Sequence, residues 1–110
     1  YEPEPADLVA RLRRALADPA TQLAPGKVAA LGPAPRALPA MLTEFGGVTY
    51  ADPARAGAAE VWGYTVAADA ADLARRAEGL VAAVRAMPEV QGFVWTQLTD
   101  VQQEANGLLY

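Results

Sequence analysis

The chain contains no histidine and no cysteine. Without cysteine there is no disulfide, no zinc–thiolate site and no thiol nucleophile. Without histidine there is no Ser-His-Asp triad, so any acid–base chemistry rests on carboxylates or tyrosines. Basic charge is scarce as well: nine Lys and Arg stand against thirteen Asp and Glu, a net charge of −4. No basic stripe exists to neutralise phosphates, which argues against a nucleic-acid partner. No apolar run is long enough to span a membrane. The opening Tyr1-Glu2-Pro3-Glu4-Pro5 is not a signal peptide. The expectation is a soluble chain, with the cytoplasm favoured over secretion; a signal carried upstream in a parent protein would change that.

The chain is 110 residues long, enough for one small domain and a modest core. The apolar fraction is 53%, but roughly a quarter of the chain is alanine, which buries little area. A domain built from this alone is marginally stable.

Residues Ala6 to Asp18 read as a helix, with Leu8, Leu12 and Leu16 at i, i+4 and i+8. Pro5 suits its first turn and Pro19 stops it. Arg11, Arg13 and Arg14 lie mostly off the apolar stripe and read as a solvated face. Pro19 to Pro39 reads as a surface connection, carrying Pro25-Gly26, Gly32-Pro33 and Pro35 without a sustained period. Ala40 to Thr43 is a short apolar run that suits a strand buried on both faces, ending at Glu44-Phe45-Gly46-Gly47. Val48 to Ala68 is long and mixed, with Tyr50, Trp62 and Tyr64 as its aromatics. Asp69 to Met87 reads as a second helix, whose apolar face is Leu73, Ala77, Leu80, Val81, Val84 and Met87. Asp69 suits its N-cap and Pro88 its stop. Gly92 to Leu98 is a second strand, rich in aromatic and β-branched residues.

The order helix, strand, loop, helix, strand predicts two adjacent parallel strands with a crossover helix. Two such strands cannot cover both their faces with two helices, so the chain reads as a slice of a larger α/β domain. Glu44 sits at a predicted strand end beside two glycines. It reads either as a catalytic carboxylate or as a solvated turn residue. Trp95 reads either as a platform for the apolar face of a sugar or as a core aromatic.

Three segments resemble the end of the catalytic barrel of glycoside hydrolase family 2. They are Thr43-Glu44-Phe45-Gly46-Gly47, Trp62-Gly63-Tyr64 and the long run from Gly92 to Leu109. The family holds β-galactosidases, β-glucuronidases and β-mannosidases. The resemblance extends over Tyr1 to Tyr110 and is specific from Thr43 onward, with the last run the strongest part. It implies the C-terminal βα units, about strands seven and eight, of an incomplete (β/α)8 TIM barrel. By that resemblance Glu44 matches the retaining nucleophile. Trp95 matches the aromatic flooring the sugar subsite. Tyr50, Trp62 and Tyr64 are implied near the pocket rim. Asn106 falls in the segment after strand eight, where ligand contacts and loop-structuring bonds are both open; for Asp100 the structural role is favoured.

One departure stands out. Retaining hydrolysis needs a nucleophile and an acid/base about 5–5.5 Å apart. The family's acid/base is the glutamate of an Asn-Glu pair, and this chain has no such pair. The expectation is therefore a fragment of an enzyme acting on β-glycosides, inactive alone, with no metal and no organic cofactor. The missing part of the barrel, as a separate chain or through self-association, is the expected protein partner. The alternative is a non-catalytic remnant that binds carbohydrate or associates with another polypeptide.

Overall fold

Pro5, whose fixed φ is already helical, opens helix α1 (Pro5–Ala17) in the computed structural model, which describes residues 2–18, 22–24, 27–28, 39–51 and 62–109. The helix buries Leu8 and Ala15 and packs Leu12 partly, while Leu16 is 38% exposed. The apolar stripe thus runs through positions 8, 12 and 15 instead of the expected 8, 12 and 16. Seven residues come within about 20° of two full turns, whereas eight overshoot. Arg11 pairs with the Glu2 carboxylate across the N-terminal turn.

The connection after α1 holds two short strands that its composition did not predict. β1 (Gln22–Ala24) pairs antiparallel with β2 (Lys27–Val28). The turn and proline signals expected at Pro25-Gly26, Gly32-Pro33 and Pro35 lie outside the described residues.

β3 (Ala40–Gly46) is longer than the predicted run and carries Glu44 inside the strand, not beyond it. It ends where Gly46 and Gly47 take positive φ values of 103° and 63°. β4 (Val48–Thr49) follows at once and pairs parallel with β5 (Thr65–Val66). Helix α2 (Ala70–Arg85) lies one residue inside the expected start and two inside the expected end. Its N-cap is Asp69, whose carboxylate accepts the Asp72 N–H at 2.7 Å. β6 (Val90–Thr96) starts two residues before the predicted strand and stops at Thr96, so Gln97 and Leu98 belong to the next loop.

β3 and β6 are adjacent and parallel, as the element order predicts. Met41 lies level with Gly92, Leu42 with Phe93 and Phe45 with Trp95. An irregularity between Leu42 and Phe45 gives β3 one residue more than β6 over that step. The buried cluster joins Leu8 of α1, Phe45, Val48, Ala67, and Leu80 and Val84 of α2. Leu42, Leu73, Val81, Val90 and Trp95 pack against it. Among the described residues the architecture is a small α/β arrangement with two helices and two-stranded sheets, and these sheets do not close into a barrel. No described helix is long and apolar enough to cross a membrane.

Candidate functional site

Parallel pairing puts the C-terminal ends of β3 and β6 at one edge. Phe45 is level with Trp95, so Glu44 stands one residue short of the Trp95 level at that same edge. Phe45 is buried and Glu44 is exposed. Strand alternation turns Glu44 outward where Phe45 turns inward. Trp95 is half-buried and meets Phe45 edge to face, ring centres 5.2 Å apart at 78°. Phe93 meets the same Phe45 ring at 5.6 Å and 88°. The indole also lies across Gly46: a Cβ there would stand 2.8 Å from Trp95 Cε2. A packing role for Trp95 is therefore visible. Its Nε1 is buried without a hydrogen-bond partner.

The loop after β6 stitches the remaining candidates together. It begins at a cis peptide between Thr96 and Gln97. The Gln97 N–H donates to Asn106 O at 3.4 Å, and the Leu108 N–H to Gln97 O at 3.1 Å. Val101 and Glu104 exchange backbone bonds of 3.2 and 3.0 Å around a tight turn in which Gln102 adopts φ of 54°. Asp100 accepts the Gly107 N–H at 2.8 Å, the structural role favoured for it. The loop then reaches the earlier segment: the Tyr50 N–H donates to Ala105 O at 3.0 Å, and the Trp62 N–H to Gln103 O at 2.9 Å.

Asn106 is 1% exposed, and its Nδ2 donates to Glu104 Oε1 at 2.9 Å. Between the two roles left open for it, the visible one is structural: it braces the turn from inside. Its Oδ1 and the Gln97 Nε2 are buried without partners.

Tyr50 is half-buried against the core, while Trp62 is 51% and Tyr64 46% exposed. The Trp62 and Tyr64 rings meet edge to face at 5.4 Å and 73°. Beside them lies a concavity of about 400 Å³, lined by Thr49, Tyr50, Ala51, Trp62, Gly63, Val66, Ala67 and Ala68. Tyr50 and Trp62 line it; Tyr64, Glu44 and Trp95 do not. Thr49 carried no signal in the sequence, because β4 is two residues long and its partner strand lies beyond a long intervening segment. Among the described residues no cluster of three or more His, Cys, Asp or Glu is placed to hold a metal ion.

Comparison with family models, with curated proteins and with solved structures finds no match for the chain.

Proposed function

We propose that the chain is the C-terminal part of a retaining β-glycoside hydrolase of the family 2 type, built on strands seven and eight of a (β/α)8 barrel. The observation that supports this best is the shared strand end of Glu44 and Trp95 on adjacent parallel strands. Active sites of such barrels gather at that end of the strands. Glu44 is exposed at that end, and the long run from Gly92 to Leu109 supplies the sequence likeness.

In this reading one Glu44 oxygen attacks the anomeric carbon as the glycosidic C–O bond breaks. The leaving oxygen takes a proton from an acid outside this chain. A water then attacks the covalent glycosyl intermediate, loses a proton to that same group and frees Glu44. Trp95 packs with Phe45 and across Gly46 on the core side of the ribbon, so it backs this strand end from behind while Glu44 turns outward.

The test uses a leaving group that needs no protonation. A dinitrophenyl 2-fluoro-glycoside series of galactose, glucuronic acid and mannose is incubated with the purified chain, followed by peptide mass mapping. A covalent sugar on Glu44, absent from Glu44→Gln, is the expected result. Labelling elsewhere, or none with any sugar, overturns the reading. The isolated chain is expected not to cleave unactivated disaccharides, since general acid help is typically worth about 10²–10⁴ in rate and no donor is placed for it. Robust disaccharide cleavage lost in Glu44→Gln would show that the chain holds its own acid.

A second reading, carbohydrate binding without cleavage, is favoured by the exposed Trp62–Tyr64 pair beside a concavity that Glu44 does not line.

A further inference from the structure

We infer that Asn106-Gly107 is a latent deamidation site: the closed loop after β6 holds it unreactive, and its conversion in the open loop keeps the loop from closing again. Asn106 is the chain's single asparagine, and glycine follows it. A glycine there leaves the attacking backbone nitrogen unhindered, since it carries no Cβ. The site is independent of Glu44 and of the glycosidase reading.

The reaction is intramolecular. The Gly107 backbone nitrogen loses its proton to base in the solvent and attacks Asn106 Cγ. The bond from Cγ to Nδ2 breaks, and that nitrogen takes up a proton and leaves as ammonia. Water then opens the succinimide ring at either carbonyl, giving aspartate or isoaspartate at position 106. Each conversion consumes a water and releases an ammonia, and nothing is oxidised or reduced.

The closed loop opposes every step. The Gly107 N–H donates to Asp100 Oδ1 at 2.8 Å, a charge-assisted bond that ties the nitrogen down. A carboxylate is far too weak a base to remove an amide proton, so Asp100 restrains and does not activate. Attack at Cγ would put negative charge on Asn106 Oδ1. That oxygen is buried and has no hydrogen-bond partner among the described residues, so no donor is placed to stabilise the charge. The leaving nitrogen, Nδ2, donates to Glu104 Oε1 at 2.9 Å, and an ionised carboxylate has no proton to give it.

The same fold requires the glycine that makes the pair reactive. A Cβ on Gly107 would stand 2.5 Å from the backbone nitrogen of Asp100 and 2.5 Å from the carbonyl carbon of Thr99. Reaction therefore waits on opening, and the turn from Val101 to Glu104 is where opening is easiest. Val101, Gln102 and Gln103 are exposed, and Gln102 holds a left-handed φ of 54° despite its Cβ. Segments of this kind open well below global unfolding. Once converted, a carboxylate at position 106 faces that of Glu104 in a buried place, and the like charges oppose closure. Isoaspartate also lengthens the backbone within the turn. The bonds from Tyr50 N–H to Ala105 O and from Trp62 N–H to Gln103 O lose their anchor with it.

The experiment ages the full chain at mildly alkaline pH, folded and in urea. Peptide mass mapping and isoaspartyl methyltransferase labelling follow position 106. The folded chain is expected to react at least about tenfold more slowly than the unfolded one. Asp100→Ala, checked by circular dichroism, is expected to raise the folded rate about tenfold and leave the rate in urea unchanged. Deamidated wild type, separated by ion exchange, should exchange the Tyr50 and Trp62 amide hydrogens faster while Leu80 and Val84 of α2 stay protected. Equal rates folded and in urea would overturn the inference, as would a folded Asp100→Ala chain that reacts no faster. So would a deamidated chain with unchanged exchange at Tyr50 and Trp62, or one that has lost the protection of α2 as well. The wild-type arms decide the matter even where Asp100→Ala does not fold.

Discussion

At the scale of single residues, glycine does the positioning. Gly46 takes a φ of 103° and has the Trp95 indole 2.8–2.9 Å from where a Cβ would stand. Alanine there meets both a backbone penalty and a ring held by Phe45. Gly46→Ala is expected to destabilise by roughly 1–3 kcal/mol, read by urea unfolding, and to change the Trp95 near-ultraviolet signal. Gly63 has a comparable role under the concavity, since its Cβ would fall 1.4 Å from Thr49 Oγ1. Gly63→Ala should therefore displace the buried Thr49 side chain and destabilise by roughly 1–3 kcal/mol, read by the same urea unfolding. These roles were only partly legible beforehand. The Glu44-Phe45-Gly46-Gly47 string marks a strand end on its own residue types. Nothing in Gly63 or Thr49 as letters reveals that they touch, because the contact comes from pairing two-residue strands across a long segment. Asn106 was legible as a polar group of interest, but its burial was not: that follows from the loop folding over itself through Gln97 and Leu108.

At the scale of elements, α2 was the most legible. Its N-cap, its apolar face and the Pro88 stop are local signals, and local signals survive folding when no tertiary contact opposes them. The cap is reinforced from inside the first turn. The Asp72 carboxylate accepts the Ala68 N–H at 3.0 Å and holds Arg76 at 2.9 Å, with Arg75 alongside. The hydrogen bond from Arg76, then that from the Ala68 backbone, then the two positive charges keep the Asp72 carboxyl below its ordinary value of 3.8. A depressed folded pKa means stability that is complete above the unfolded value and lost as pH falls through the folded one. Helicity of α2 should therefore hold above pH 3.8 and fade below it, and Asp72→Asn should remove that part of the acid transition. The check is helical circular dichroism titrated downward in the two proteins. Asp69→Ala removes the cap itself and is expected to cost about 0.5–2 kcal/mol at neutral pH. By contrast α1 was legible as a helix but not in its facing. Leu16 ceded its place to Ala15, which is buried because seven residues from Leu8 come closer to two full turns than eight do.

At the scale of the whole molecule, the parallel ribbon is covered on one side. Leu42, Phe45 and Trp95 pack toward the core, while Met41 is 61% and Val94 49% exposed on the other face. Met41 is level with Gly92, and Val94 follows two residues later, so the two share that face. Parallel strands are ordinarily covered on both faces, since their side chains are apolar both ways. The sequence announced this imbalance through Ala40–Leu42 and the aromatic run at Phe93–Trp95, which ask for more neighbours than two helices provide. An uncovered apolar face invites either a hydrophobic dye or another copy. The chain is expected to bind such a dye in its folded state and to self-associate with rising concentration in sedimentation velocity. Met41→Thr with Val94→Thr should lower both signals. Because the two side chains are largely exposed, the pair should change unfolding free energy by only about 0.5 kcal/mol per site. A wild-type chain that stays monomeric and dark to the dye would mean the face is closed in solution. A double variant that loses its fold would mean that Met41 and Val94 are packed, and that this ribbon is already covered on both sides.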